Sequence, residues 1–315
     1  MNAHILVTGG AGFIGTHLVR QLLERHEGGR VTVLDDFSAP SSLALPEHPR
    51  LRVIVGDVRS ASDVAACGPA SGWPAPPQQV VHLASVVGVD AVLADPERTG
   101  SVIRDGTATV LEAARGWGAP LLFFSTSEVT DGERAGPRAV YAHAKRDAEV
   151  LLSAQARGAD GLPVTIVRPF NIVGPGQSAP GMVLPALARA ARLGERLPVH
   201  GSGRQERSFL HVDDCVRATL ALLEESAARS IDQPTADPTV DVIEIGSEER
   251  TSIAGLARRI AELSGGACDL DNTTPAEHRE DLPRRAPDLT ALRRRVPFRP
   301  RWGLSEIVRD ALAHA

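Results

Sequence analysis

Short apolar runs that end in glycine, serine or aspartate recur through the first half of the chain. A strand that is covered on both faces of a parallel sheet is apolar almost throughout, so these runs predict buried parallel strands. The predicted strands are His4–Thr8, Arg30–Leu34, Leu51–Val55, Val80–Leu83, Pro120–Ser125 and Val164–Val167.

Apolar residues at helical spacing separate several of these runs. The predicted helices are Phe13–Arg25, Thr107–Trp117, Ala139–Ala156, Val183–Leu193, Asp213–Glu225 and Ile253–Leu263. Strands that alternate with helices predict an α/β fold, a doubly wound parallel sheet with right-handed crossovers.

The pattern loosens beyond residue 168. Pro169–Pro180 is rich in Gly and Pro and is predicted to be a loop, Glu224–Asp241 a surface linker, and Glu277–Arg301 is an Arg- and Pro-rich tail. We therefore predict a first domain over residues 1–168 and a smaller lobe over residues 169–315, with some segments of the lobe returning to the first sheet.

A glycine turn connects the first predicted strand to the first predicted helix. It reads Gly10-x-Gly12-x-x-Gly15 with Gly9 before it, and Asp35 stands twenty residues beyond Gly15, at the end of the second predicted strand. Glycines let the backbone approach a pyrophosphate, and the start of the helix offers unpaired N–H groups to phosphate. This context predicts a Rossmann-like dinucleotide site.

Asp35 also predicts which dinucleotide is bound. A carboxylate at this place accepts hydrogen bonds from both ribose hydroxyls and would repel a 2′-phosphate, so NAD is expected rather than NADP. Asp57 and Val58, after the third predicted strand, are placed to meet the adenine. The alternative interpretation of Asp57 is a helix N-cap.

The composition contributes one further signal. The chain has one Tyr and, among 34 Lys and Arg residues, one Lys. A GC-rich genome would explain the scarcity of both residue types, but it does not explain why Tyr141 and Lys145 lie four residues apart on one predicted helix face. A nearby ammonium stabilises tyrosinate, so Tyr141 is a candidate base. The alternative is a packed Tyr beside a solvated Lys.

Several motifs together resemble the extended short-chain dehydrogenases/reductases. They are TGGAGFIG at 8–15, HLAS at 82–85, STSE at 125–128, YAHAK at 141–145, RPFNIVGPG at 168–176 and GSGRQERSFLHVDD at 201–214. Most members of that family are nucleotide-sugar epimerases, dehydratases and decarboxylases that keep NAD bound and oxidise the C4 hydroxyl of the sugar. The resemblance implies an NAD-binding first domain, a substrate-binding lobe, a nucleotide-diphosphate sugar as substrate, and a homodimer formed by helices beside Tyr141.

The resemblance also implies the functional residues. The catalytic residues would be Thr126, Ser127, Glu128, Tyr141 and Lys145. The residues that bind NAD would be Gly9, Gly12, Phe13, Ile14, Gly15, Asp35, Asp36, Ser38, Asp57, Val58, Leu83, Ala84, Ser85, Tyr141, Lys145 and Pro169. The residues that bind substrate would be Asn171, Val183, Arg207 and Arg285.

The run Thr126-Ser127-Glu128 separates the possible reactions. The 4,6-dehydratases have an Asp where this chain has Ser127, and simple 4-epimerases usually lack the Glu, so Ser127-Glu128 looks most like the UDP-glucuronate decarboxylases. We expect a UDP-glucuronate decarboxylase, with a C4 epimerase or a nucleotide-sugar dehydratase as alternatives and a non-catalytic cofactor-binding protein as a third. Glu244 stands where the family commonly has Asn.

Charge and cysteine content exclude other classes of function. A net charge of −5 and a pI near 6.1 give no electrostatic basis for binding nucleic acid. No apolar run is long enough to span a bilayer, and no secretory signal is visible. Cys67, Cys215 and Cys268 lack metal-ligand spacing. We expect a cytoplasmic protein with no metal.

Overall fold

The computed structural model describes residues 3–25, 28–39, 41–130, 139–156, 161–177, 182–199, 201–232, 240–265, 270–271 and 284–315. Its centre is a sheet of seven parallel strands in the order β3-β2-β1-β4-β5-β6-β11. These strands are β1 (His4–Thr8), β2 (Arg30–Asp35), β3 (Leu51–Val55), β4 (Gln79–His82), β5 (Leu121–Phe124), β6 (Val164–Pro169) and β11 (Val240–Ile245). The predicted doubly wound α/β fold is confirmed, and each predicted strand lies in this sheet.

The remaining strands are short and form three small sheets beside the main one. They are β7 (Ile172–Val173), β8 (Leu197–Pro198), β9 (Glu206–Ser208), β10 (Leu210–His211), β12 (Arg250–Ser252), β13 (Leu270–Asp271) and β14 (Arg284–Arg285). The helices are α1 (Phe13–Arg25), α2 (Ala61–Ala66), α3 (Val89–Ala94), α4 (Pro96–Trp117), α5 (Ala139–Ala156), α6 (Val183–Arg192), α7 (Val212–Asp232), α8 (Ile253–Leu263), α9 (Thr290–Arg295) and α10 (Leu304–His314). Among the described residues, no helix combines the length and apolar character that crossing a membrane requires.

Side chains of β1 alternate between the two faces of the sheet. Ile5 and Val7 pack with α1 and α7 on one face, whereas Leu6 packs with α4 and α5 on the other. This two-residue period is the geometry of a strand, and it requires apolar residues at every position when both faces are covered. A third apolar cluster joins α6, α8 and α10 in the C-terminal lobe.

Two predicted boundaries are wrong. The expected linker Glu224–Asp241 is helical up to Asp232, because its Ala- and Glu-rich start favours continuation of the helix. Its last two residues, from Val240, belong to β11. Residues 233–239 lie outside the described part. The helix expected at Thr107 begins instead at Pro96, where Asp95 accepts a hydrogen bond from the Arg98 N–H at 2.8 Å as its N-cap. Caps of this kind start a helix before its apolar periodicity becomes visible.

The predicted loop Pro169–Pro180 and the Arg- and Pro-rich tail also contain short elements. Pro169–Pro180 contributes the end of β6 and the two residues of β7, and the Arg- and Pro-rich tail contains β14 and α9. Strands of two residues are too short to show an alternating pattern, which is why the sequence gives no sign of them.

Asp214 ties the C-terminal lobe to α7. Its side chain is buried, with Oδ2 accepting from the backbone N–H groups of Arg301 at 2.8 Å and Trp302 at 3.1 Å. Its Oδ1 accepts from Arg217 Nη2 at 2.5 Å. A buried carboxylate with three donors stabilises the fold only while all of its partners remain in place.

We predict that Asp214→Asn lowers the free energy of unfolding by about 3 kcal/mol. The NH₂ group of the new amide would face an N–H group that now donates to the carboxylate, so two donors would oppose each other. Urea denaturation followed by circular dichroism measures the change. The control is Asp213→Asn, a neighbouring, partly exposed carboxylate at 3.5 and 3.9 Å from two histidines, for which we expect less than about 1 kcal/mol. Equal destabilisation by both variants would contradict this role of Asp214.

Candidate active site

A cavity of about 1220 Å³ opens at the carboxyl ends of the parallel strands. This edge is where α/β sheets bind ligands, because the strands end there and the loops diverge around the point where the strand order reverses. The predicted site residues that line the cavity are Gly9, Gly12, Phe13, Ile14, Gly15, Asp35, Asp36, Ser38, Asp57, Val58, Leu83, Ala84, Ser85, Thr126, Ser127, Glu128, Tyr141, Lys145, Pro169, Asn171 and Val183.

The glycine turn is shaped by three close approaches of the backbone. Gly9 has a φ of +69°, and a Cβ there would lie 2.6 Å from the backbone nitrogen of Ala84. A Cβ on Gly15 would lie 2.3 Å from the Gly9 carbonyl oxygen, whereas a Cβ on Gly12 would come no closer than 3.2 Å to the same oxygen. Gly9 and Gly15 are thus required by the fold itself, and Gly12 keeps the turn open toward the cavity.

Asp35 is held by the same turn. Its Oδ2 accepts from the Ala11 N–H at 2.9 Å and its Oδ1 from the Phe37 N–H at 2.8 Å. Burial raises the pKa of this carboxyl, and the two backbone donors oppose that rise. A carboxylate has about four acceptor positions, so each oxygen keeps one for a ligand in the cavity.

Two ion pairs that the sequence did not suggest flank Asp35. Arg98 Nη2 lies 2.9 Å from Asp36 Oδ2, and Arg59 holds the Asp57 carboxylate through its side chain and its backbone N–H. The guanidinium of Arg59 lowers the pKa of Asp57. Ser60, not Asp57, caps α2, so the N-cap interpretation of Asp57 is wrong.

These features fit NAD. The glycine turn leaves space for a ligand at the place that a Cβ on Gly12 would fill. The start of α1 faces the cavity, and Asp35 presents hydrogen-bond acceptors at the end of β2. Among the described residues, no three His, Cys, Asp or Glu side chains are grouped to hold a metal ion.

Lys145 is buried at the floor of the cavity, with 2% of its surface exposed. Its Nζ donates to the Phe124 carbonyl oxygen at 2.6 Å and lies 4.7 Å from the centre of the Phe123 ring. Burial lowers the pKa of Lys145 to about 7, and the charge of Glu149 opposes that fall. The prediction of a solvated lysine, the alternative to a catalytic one, is therefore wrong.

Tyr141 lies one helical turn before Lys145. Burial raises the pKa of its phenol, the charge of Glu128 raises it further, and the hydroxyls of Thr126 and Ser85 oppose the rise. We expected Lys145 to lower this pKa, but burial raises it instead. Ionisation of the phenol would accordingly need a positive charge close to its oxygen.

Thr126, Ser127 and Glu128 approach Tyr141 from the end of β5. They enter a short 3-10 turn, Ser127–Thr130, in which the Glu128 N–H donates to Thr126 Oγ1 at 3.2 Å. Arg146 fixes this turn to α5 by donating to the Val129 carbonyl at 2.6 Å. Residues 131–138, between this turn and α5, lie outside the described residues.

The predicted substrate residues are only partly brought together. Asn171 lines the cavity with a φ of +42°, and its Nδ2 donates to the Ser208 carbonyl at 2.8 Å, so it anchors β9. Arg207, on β9, is buried, donates to the Glu206 carbonyl at 2.7 Å and lies outside the cavity lining. Arg285 pairs with Arg207 through the backbone of β14, but its side chain is outside the described part.

Sequence analysis missed a buried group beneath the site. Glu149 of α5 contacts Ser125 and Arg168, the residues at the ends of β5 and β6. The spacing of Lys145 and Glu149, four residues apart on one predicted helix, was the available signal.

Comparison with known proteins places the chain in a family. The model of the NAD dependent epimerase/dehydratase family matches residues 5–233. A UDP-N-acetyl-alpha-D-glucosaminuronate decarboxylase of Bacillus cytotoxicus is 32% identical over 98% of this chain and 97% of its own length. A dTDP-glucose 4,6-dehydratase of Streptomyces griseus is 33% identical, covering 97% and 92%.

Solved structures agree with this assignment. The UDP-glucose 4-epimerase of Thermotoga maritima, crystallised with UDP-glucose, superimposes with a TM-score of 0.82 at 25% identity, over 99% of this chain and 98% of that one. The chain belongs to the NAD dependent epimerase/dehydratase family, and its cofactor is NAD. The predicted family and cofactor are confirmed.

We predict that alanine at two glycines separates cofactor binding from folding. Gly12→Ala needs only a small shift of the Gly9 carbonyl, so stability changes by less than about 1 kcal/mol while NAD affinity falls about tenfold or more, because the methyl group occupies space beside the pyrophosphate. Gly15→Ala forces backbone apart and lowers stability by about 3 kcal/mol without any ligand.

Calorimetric titration with NAD and urea denaturation of the cofactor-free protein measure the two effects. Undiminished NAD affinity in Gly12→Ala would contradict the placement of the pyrophosphate at this turn.

Proposed function

We propose that this enzyme oxidises the C4 hydroxyl of a UDP-linked uronate and releases the C5 carboxylate as carbon dioxide, with UDP-glucuronate as the first substrate to test. The observation that carries the proposal is Ser127-Glu128 at the cavity wall beside Tyr141. Ser127 stands where a dehydratase needs an acid, and Glu128 is the one carboxylic acid that remains at this place.

The first step assigned to the chain is removal of a proton from the C4 hydroxyl. Tyr141 accepts this proton, Thr126 holds the same sugar oxygen through its hydroxyl, and Lys145 as an ammonium stabilises the phenolate. NAD, when bound, supplies the two-electron oxidant for C4. The burial that raises the pKa of Tyr141 makes the charge of Lys145 essential to this step.

Loss of carbon dioxide then needs no acid from the protein. A ketone at C4 makes the C5 carboxylate a β-keto acid, so the C–C bond breaks and its electrons form an enolate. Glu128 is placed to return a proton to C5, directly or through water. Dehydration would instead need a proton for the departing hydroxyl, and Ser127 is a poor donor for that purpose.

Roles are also proposed for the other residues that were predicted to bind the cofactor or the substrate. We propose that the glycine turn and Asp35 hold NAD, that Asn171, Val183, Arg207 and Arg285 position the nucleotide diphosphate, and that residues 169–315 mainly serve the substrate. We also propose a cytoplasmic homodimer that pairs α4 and α5, since Val150 on α5 is apolar and 64% exposed.

A C4 epimerase or a dehydratase is the second candidate. It is favoured by the 33% identity to a 4,6-dehydratase and by the structural match to a 4-epimerase. Product mass after incubation with NAD and UDP-glucuronate in D₂O decides. Decarboxylation removes carbon dioxide and adds deuterium at C5, and dehydration removes water. Epimerisation leaves the mass unchanged but gives an isomer that chromatography separates from the substrate. Untouched substrate would overturn the proposal for this uronate.

We predict that Tyr141→Phe lowers kcat by at least about 10³-fold while NAD remains bound, because the phenol oxygen that accepts the C4 proton is gone. Turnover is measured by product mass, and bound NAD by its absorbance after release. Near-normal turnover would contradict the assignment of the base.

We predict that Glu128→Gln slows product formation about 10²-fold, since an amide does not supply the proton that C5 takes up. Glu24→Gln, an exposed glutamate on α1, is the control and should match the original enzyme. Equal rates for the two variants would assign C5 protonation to another group.

A further inference from the structure

Glu149 is a buried carboxyl group that the proposed mechanism does not use. It lies four residues after Lys145 on α5, so the two side chains share a helix face, and only 7% of its surface is exposed. A carboxylate in such a place is retained only if it is well paired.

Three hydrogen bonds fix the Glu149 carboxylate. Ser125 Oγ donates to Oε1 at 2.5 Å, Arg168 Nε donates to Oε1 at 2.9 Å, and Arg168 Nη2 donates to Oε2 at 2.6 Å. A bidentate guanidinium pair sets both the position and the plane of the carboxylate. The residues at the ends of β5 and β6 therefore hold the Glu149 carboxylate in a fixed position beneath the site.

A second acid stands opposite Arg168 on the neighbouring strand. Glu244 stands opposite Arg168 in the register of β6 and β11, and the two acids together raise the pKa of Arg168, with Glu149 contributing most. Glu244 Oε2 in turn accepts from the Asp288 N–H at 2.7 Å.

The titratable groups nearest to Lys145 other than Glu149 are an imidazole and a phenol. His82 of β4 is buried, and burial with the charge of Lys145 lowers its pKa to about 3, so the imidazole carries no charge. Tyr141 lies one turn earlier on α5, and Glu128 of the 3-10 turn faces Tyr141. Among the described residues, Glu149 is the carboxylate whose charge acts on Lys145.

We propose that Glu149 is a positioning residue that keeps Lys145 protonated at the floor of the cavity, and that Arg168 limits this effect by sharing the carboxylate. Its consequence for turnover rests on the proposed function; its effect on Lys145 does not. The charges of Glu149 and Arg168 determine the direction in which each substitution moves the titration of Lys145. Without Glu149, Arg168 and Lys145 would be two cations in a buried site, and Lys145 would lose its proton at lower pH. Without Arg168, Glu149 would act on Lys145 alone, and the proton would be held to higher pH.

The sequence makes a direct test possible, because Lys145 is the one lysine of the chain. Full-length protein labelled with ¹³C-lysine and free of NAD gives a single side-chain signal, whose position against pH reports the titration of Lys145. We expect the midpoint to fall by about one pH unit in Glu149→Gln, to rise in Arg168→Gln, and to return near its original value in the double variant. Asp147→Asn, an exposed acid on the same helix, should leave it in place.

A purely structural role for Glu149 would leave the midpoint unmoved or shift it in the same direction in both single variants, and either result would overturn the inference. If Glu149→Gln does not fold, Arg168→Gln decides alone: a raised midpoint supports the inference and an unmoved or lowered one overturns it.

Turnover gives the second readout. The alkaline limb of kcat should move with the lysine midpoint, to lower pH in Glu149→Gln and to higher pH in Arg168→Gln. A lysine midpoint that shifts as expected while no uronate is turned over supports the role of Glu149 and counts against the proposed function, so the two failures are distinguishable.

Discussion

Parallel pairing of the strands is the constraint on which the site depends. Because neighbouring strands run in the same direction, every strand of the central sheet ends at one edge, and the residues just after β1, β2, β5 and β6 are brought together there. The glycine turn allows α1 to start almost in contact with β1, as the 2.3 Å clearance of a Cβ on Gly15 from the Gly9 carbonyl demonstrates. The backbone is thus tightly packed at this edge of the sheet, and the cavity lies directly beyond it.

Burial has opposite consequences for the two groups that the cavity brings together. It favours the neutral forms of both Tyr141 and Lys145, raising the pKa of the phenol and lowering that of the amine. Their useful forms for proton transfer are the charged ones, a phenolate beside an ammonium, and each charge stabilises the other. Burial thus keeps the phenol neutral, and the charges near Lys145 decide how readily the amine holds its proton.

The sequence predicts well what depends on local pattern. His4–Thr8 has three consecutive apolar residues at its centre and is followed by glycines, so both the strand and the glycine turn were predictable, and the spacing of Tyr141 and Lys145 identified the helix face. It is less informative where a cap or the packing of the whole fold decides. The start of α4 depends on a cap at Asp95, not on apolar spacing. The burial of the Arg207 side chain depends on elements that are distant in sequence, so its neighbours in the chain do not indicate it. The pKa of Tyr141 also depends on how deeply the fold buries it, which spacing does not reveal.

The unusual acid at position 244 has a physical explanation in the charges beneath the cavity. Arg168 lies at the end of β6, and the Lys145 ammonium of α5 reaches the Phe124 carbonyl at the end of β5; Glu149 by itself would balance only one of these two cations. Glu244, opposite Arg168 in the sheet, supplies the second negative charge, and its carboxylate is held by the Asp288 N–H in the segment that follows β14. A neutral asparagine at that position would leave an excess positive charge in a poorly solvated place, which is costly. The charge of Arg168 is therefore balanced in part by a strand that the second half of the chain returns to the sheet.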